Sequence, residues 1–340
     1  GDSVGPKSYV MDIGLKRKYQ TTWLATVEGG LGSDDRFLGR LFALRLTPHS
    51  KISAFANFNN LNDDRKPGNN SDWSPLQQPV NETTVWTAGM DYATESKEGV
   101  FMSDGNVVFT SKRMTTESRT SSEYFLTKGN TFGKSLLTGL VRDVSVGTQH
   151  SLAWKIPTIT HINVKPRFSY HKFNRTSTQS SIMLLDDKFD LWGKAWMDSI
   201  ASPLGNSLLR EYAINHLMVN TRGDGWDWQG GIDYGQFLMI PHRSDHALYF
   251  DGSYRYDNAE INSFDHYRLD YVKEGEQDYR NRFDKVKNSG YQVSAHLSDG
   301  WEFVHTSSRV FRLEPGYSFD FSHRNTTRNL YLLNQLTGWG

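Results

Sequence analysis

The feature that most constrains this chain is a period of two that persists over unusually long stretches. In residues 51–61, Ile52, Ala54, Ala56 and Phe58 share one face, with Ser53, Asn57 and Asn59 between them and Phe55 as the exception. Residues 85–92, 107–111, 136–154, 161–173, 230–238, 247–256 and 291–297 alternate in the same way. Successive side chains on a strand point to opposite faces, so this spacing predicts strands with one apolar and one polar face. Tyr, Phe, Trp, Val and Thr hold most of the alternating positions, as pleated surfaces favour. Residues 107–126 and 131–156 carry no breaker beyond isolated glycines, and Gly129 marks the hairpin tip between them. A soluble strand averages about five or six residues and a bilayer-spanning one about 9–11, so strands near twenty residues project well beyond a membrane.

The mean hydropathy is negative, and no run of about 18 apolar residues occurs, which excludes a transmembrane helix. A membrane barrel shows lipid an apolar side chain only at every second position, so a polar average is compatible with it. Basic and acidic residues balance at 38 each, which removes the electrostatic case for a nucleic-acid partner. The chain has no cysteine, ruling out disulfides, thiolate metal sites and thiol catalysis.

Three segments share one plan: LTPHSKISAFANFNNLND, KIPTITHINVKPRFSYHKFN and MIPHRSDHALYFDGSYRYDN. Each ends a strand before a proline (Pro48, Pro157, Pro241), continues through polar residues that include His49, His161 or His246, and resumes a strand of about ten residues. Proline ends the ladder, so each site is a tight turn between antiparallel strands. The connections on the other side read as long: 61–82, 258–288, and 186–228. In the last, Leu191, Trp192, Ala195, Trp196 and Ile200, then Leu208, Leu209, Tyr212 and Ala213, predict two short helices broken near Pro203 and Gly205. Short turns alternating with long loops predict an all-β, transmembrane, antiparallel up-and-down barrel with long extracellular loops and about 14 strands. A soluble β-sandwich is the structural alternative.

Several of these segments, SKISAFANFNNLNDDRKPGNNSDWSP, SRTSSEYFLTKGNTFGKS, LWGKAWMDSIASPLGNSLLREYAINH and FDGSYRYDN…FDHYRLDY…DYRNRFD, resemble TonB-dependent-receptor-like outer-membrane proteins of the Bacteroidota. The resemblance runs across nearly the whole chain. It implies a bacterial outer-membrane location, a lipid bilayer as partner, and a regulatory-like β-sandwich and plug domain ahead of the barrel. Neither is evident, since barrel-type sequence begins almost at residue 8; the expectation is the barrel portion, 1–340, of a processed or truncated polypeptide. Contact with TonB machinery would run through segments outside this sequence. The implied ligand is a glycan, peptide or metal chelate. The second function class is a non-transporting scaffold for surface lipoproteins or other outer-membrane subunits.

Trp73, Trp192, Trp196, Trp226 and Trp228 are the candidate ligand- or partner-binding residues. Trp226 and Trp228, with Tyr234, either stack on sugars or form an interfacial aromatic girdle. Asp63, Asp64, Asn69, Asn70 and Asp72 would suit calcium through hard oxygen ligands, or form a solvated loop with local turns; no other cofactor is implied. No GxSxG, HExxH or Walker loop is present, and the adjacent pairs Asp245-His246 and Asp265-His266 point to opposite faces of a strand, so an enzyme is not expected. Serines are numerous enough that a spatial triad is left open.

Overall fold

The computed structural model describes residues 21–63, 82–127, 129–156, 159–189, 195–196, 207–240, 246–306 and 309–333. The chain forms one antiparallel sheet whose strands follow their order in sequence. The strands are β1 (Thr22–Leu31), β2 (Phe37–Thr47), β3 (Ser50–Asn59), β4 (Glu82–Glu95), β5 (Phe101–Tyr124) and β6 (Thr131–Ile156). They continue as β7 (Thr160–Leu184), β8 (Ala213–Met239), β9 (His246–Tyr271), β10 (Glu276–Thr306), β11 (Arg309–Leu313) and β12 (Gly316–Leu333), with one short helix, α1 (Ser207–Tyr212). β11 and β12 both lie along β10, one after the other. Pro315, which has no N–H to give a ladder, sits at their break, where its carbonyl accepts from the Asp299 amide at 2.9 Å. Among the described residues the sheet is therefore eleven strands wide, against the expected fourteen or so. No ladder joins β1 to β12 among the described residues, and both edge strands are exposed along their length.

Antiparallel order sorts the connections to two ends. At the turn end, Pro48 and His49 join β2 to β3, and short links join β4 to β5, β6 to β7, β8 to β9 and β10 to β11. The links containing Pro157 and Pro241 are at this same end by the strands that flank them, although both prolines lie outside the described residues. At the loop end, the connections after β3 and β7 are long, and those after β1, β5 and β9 are short.

Two expected loops are corrected. Residues 258–288 are a strand hairpin, not a loop: β9 runs to Tyr271, β10 starts at Glu276, and Gly275, at φ 72°, makes the turn. The stretch is polar because cross-strand charge pairs hold it, Arg282 on Asp265 and Lys285 on Glu260. The expected loop 186–228 ends at Tyr212, and its remainder, with Trp226 and Trp228, belongs to β8. Of the two helices expected there, α1 corresponds to the second, and Ala195 and Trp196 are helical in the region of the first.

The register carries one face across the sheet. Asn106, Gln149, Arg167, Gly231, Arg255, Gln292 and Ser322 form one continuous row, and a single cavity is lined from β5 through to β12 on this side. The sheet is thus curled with this face concave, a barrel-type curvature. The opposite, convex face carries Trp23, Leu41, Trp86, Phe109, Trp154, Ile232, Phe250, Tyr291 and Phe319, all solvent-exposed. Among strand-borne exposed hydrophobics, those on the concave face are Leu24, Leu46, Tyr124, Ile261, Tyr271, Leu330 and Leu332; all but Ile261 lie on edge strands or at strand ends.

This apolar convex surface is concentrated in the turn half; in the loop half the same face keeps the stacked rings of Phe264, Phe283 and Tyr331. It runs from Trp154 up to Val144 on β6, from Leu238 up to Trp228 on β8 and from Trp301 up to Tyr291 on β10. Ten residues at about 3.4 Å each, tilted by about 45°, give a height of about 24 Å, close to the roughly 25 Å apolar band of a membrane barrel. Aromatic pairs border it: Phe101 with Trp154 at 5.1 Å on the turn side, and Trp228 with Tyr256 at 4.7 Å on the other. Above the band the same face turns largely polar, with Arg113, Glu117, Asn174, Arg222, Asn262 and Lys287.

Candidate functional site

The concave face is polar at every level, and its charge is layered. Toward the loop end, His171 lies 3.0 Å from Asp227 and 3.6 Å from Asp143, with Arg175 beyond at 3.9 Å. At mid-height Arg167, Arg255 and Arg324 line a cavity of about 620 Å³ together with Asn106, Gln149, Gln229, Gln292 and Asp257. Toward the turn end carboxylates outnumber cations: Asp91, Asp104 and Asp233 with Lys165 and Arg167 in one cavity, and Asp233, Asp251 and Asp320 with His296 in the next. Period-two alternation favours this: with apolar residues committed to the convex side, the residues between them face inward.

Glycines shape the cavity wall. A Cβ on Gly231 would stand 3.2 Å from Arg167 Nε and 3.5 Å from Arg255 Cγ, so the stems of two arginines from β7 and β9 cross where a side chain is missing. Asp233 serves both: it is 3.3 Å from Arg167 and 4.0 Å from Arg255.

The first described residues of the two long connections lie on opposite sides of the sheet. The start of the first turns onto the concave face, where Asn57 and Asn59 donate to the Asp63 carbonyl at 3.2 and 2.6 Å. The Asp63 carboxylate pairs with Arg40. A guanidinium already neutralises this member of the calcium candidates; Asp64, Asn69, Asn70 and Asp72 lie outside the described residues. The start of the second lies on the convex face at the loop end: Phe189 lies against buried Ile182, Leu184 and Ala213, and Lys134 meets Asp187 at 2.6 Å. Trp196 is 55% exposed. Trp226 and Trp228 point outward from mid β8, with the Trp228 ring between Phe168 and Tyr256, at the upper border of the apolar band. Trp73 and Trp192 lie outside the described residues. The site expected from sequence is thus not brought together at one place among the described residues.

A serine–histidine–aspartate arrangement does form at the loop end, from β7, β8 and β9. His216 Nε2 is 3.0 Å from the Ser180 hydroxyl, and its Nδ1 is 3.5 Å from Asp270. Arg268 donates to the other Asp270 oxygen at 3.0 Å. Burial alone would raise the Asp270 carboxyl, but the contacts with His216 and Arg268 hold it below its ordinary 3.8. Ser180 and His216 are each 1% exposed, and the β7 ladder brackets Ser180 on both sides. A hydrolytic nucleophile needs an approach path and free N–H donors aimed at an oxyanion; this buried relay ties three strands together instead. The pair Asp265-His266 divides between faces as strand geometry requires: Asp265 pairs with Arg282 on the concave side, and His266 contacts Asn281 on the convex side at 2.5 Å.

No family model matches the chain, and no curated protein sequence does. Solved structures that align with it include the toluene transporter TodX of P. putida, at 8% identity over 92% of this chain and 88% of that one, with a TM-score of 0.20. The monoaromatic hydrocarbon channel CymD aligns at 10% identity over 92% and 86%, also at 0.20. The copper transporter OprC aligns at 7% identity over 89% of this chain and 61% of its own, at 0.19. At such scores the likeness carries no argument, and the class rests on the geometry: an all-β, barrel-type antiparallel sheet with an apolar band outside and a charged, cavity-bearing face inside.

Proposed function

We propose that the chain is the membrane-spanning sheet of a transport barrel in a bacterial outer membrane. The observation that carries this reading is the concentration of exposed apolar side chains on one face of the interior strands and in a band of about 24 Å by strand rise and tilt, against a largely polar concave face. Water would not tolerate so large an apolar surface on a soluble protein, whose patches seldom exceed a few hundred Å², whereas lipid requires it. The short-turn end is then periplasmic and the loop end extracellular.

Within that class, the TonB-dependent-receptor-like reading assigns the chain the import of a glycan, peptide or metal chelate entering from the loop end. Energy coupling would involve partners outside this sequence. The exposed ring of Trp196, in the connection between β7 and α1, supports a second reading, a docking surface for a surface lipoprotein or another outer-membrane subunit.

The test is fractionation followed by labelling. The protein should partition with outer membranes and need detergent for extraction. Because the chain has no cysteine, single cysteines at His49 and Lys97 should resist a membrane-impermeant thiol reagent on intact cells, and cysteines at Asp34 and Glu274 should react. Recovery as a soluble monomer without detergent would end the barrel reading; reversed labelling would invert the orientation.

A further inference from the structure

We propose that the mid-height cavity of the concave face binds small anionic solutes bearing carboxylate or phosphate groups, through Arg167, Arg255 and Arg324. The inference rests on the concave face being the interior of the proposed transport barrel and names the chemistry of what that interior takes. Three guanidinium groups from β7, β9 and β12 line one cavity of about 620 Å³, and Asp257 is the only acidic residue in its wall. The neighbouring carboxylate that serves Arg167 and Arg255, Asp233, stands at 3.3 and 4.0 Å, too distant to occupy both forks with short hydrogen bonds. Among the described residues no carboxylate lies within ion-pairing distance of Arg324. Elsewhere on the sheet arginines are engaged more closely: Arg282 with Asp265, and Arg328 with both Asp284 oxygens.

The rest of the lining suits the same ligand. Gln149, Gln229, Gln292 and Asn106 offer neutral amide donors around the guanidiniums. Gly231 leaves the space that both arginine stems use, and Gly147, with nothing within 4 Å of a built Cβ, leaves the adjoining wall open. Guanidinium forks match carboxylate and phosphate geometry with two parallel N–H donors each. Toward the turn end Asp91, Asp104 and Asp233 outnumber Lys165 and Arg167, so the lining there is less favourable to an anion and sets the lower limit of the site.

Equilibrium dialysis of the detergent-solubilised full chain with radiolabelled citrate and, separately, pyrophosphate tests this. Saturable binding of at least one is expected, and citrate against pyrophosphate separates a carboxylate from a phosphate preference. The R167Q/R255Q/R324Q variant should weaken it by about tenfold or more, since charge-assisted, bidentate donors are lost. The R167K/R255K/R324K variant, which keeps the charge without the fork, should bind with intermediate affinity. A β-type circular dichroism spectrum equal to wild type certifies the fold of each variant. Binding of neither probe by the wild type, or binding unchanged in the folded glutamine variant, overturns the proposal. In planar bilayers under a KCl gradient, a conducting chain should prefer chloride and lose that preference in the glutamine variant; absence of conductance counts against the pore reading alone, and dialysis still decides the site.

Discussion

The two halves of the long strands obey one period and meet two solvents. On β8, the turn half presents Leu238, Tyr234 and Ile232 on its convex side, and the loop half presents Asp224, Arg222 and Asn220 on the same side. The backbone pairing is continuous through both halves, so the ladder does not distinguish them. What changes is the chemistry of every second residue. The difference teaches that alternation sets the curl and the two faces, whereas the identity of the outward residues sets where lipid ends.

The largest effect should come from placing a charge in the lower half. Ile232→Arg puts a guanidinium on the convex face mid-band and should cost about 2–4 kcal/mol in vesicle-based unfolding. Asn220→Arg, on the same face of the same strand in the upper half, should stay within about 0.5 kcal/mol. Equal costs would erase the comparison.

A second test concerns packing on the concave side. A Cβ on Gly89 would stand 2.6 Å from the Phe55 ring and 3.0 Å from the Val107 carbonyl, whereas one on Gly147 meets nothing within 4 Å. Gly89→Val should therefore destabilise by about 1–3 kcal/mol through overpacking, and Gly147→Ala should be neutral or gain up to about 1 kcal/mol. The same unfolding measurement checks both.

A third sharpens the upper half through pH. The Asp270 carboxyl is held below its ordinary 3.8, so its contribution is fully present above that value and is lost as pH falls through the lower folded one. Hydrogen exchange at residues 180–184 should accelerate in that acid window, and Asp270→Asn should remove the pH step. A step that survives the substitution would assign it elsewhere. The smallest effect belongs to the partly exposed cluster of Lys285 and Lys287 with Glu260, at 2.6 and 3.3 Å. Glu260→Gln should change stability by less than about 1 kcal/mol, and less still at high salt.

Much of the turn half, and one hairpin of the loop half, was legible in the sequence. The expected strand 131–156 coincides with β6, and Gly129, at φ 119°, lies at the expected hairpin tip. The Pro48 turn falls where proline ends the ladder. The rest of the loop half was not legible, because a strand wetted on both faces has no apolar period: residues 258–288 read as a loop although Asp265 with Arg282 and Glu260 with Lys285 pair across a hairpin. Likewise the start of β8, at Ala213, was merged with the helical segment before it. The arginine cavity gave no signal, since Arg167, Arg255 and Arg324 come from β7, β9 and β12 and meet only through register and curl. The same holds for Ser180, His216 and Asp270, which no local spacing connects.

The central claim is that lipid covers the convex face of the turn half and nothing else. The chain's lack of cysteine permits single fluorophore-labelled cysteines at Ile232 and Phe250 in the band, Asp233 and Asp251 on the concave face, and Asn220 and Thr176 on the convex face above it. In vesicles containing brominated lipid, the first pair should be strongly quenched and the other four should not. Quenching of Asp233 and Asp251 equal to that of Ile232 and Phe250, or quenching of none of the six, would contradict the account.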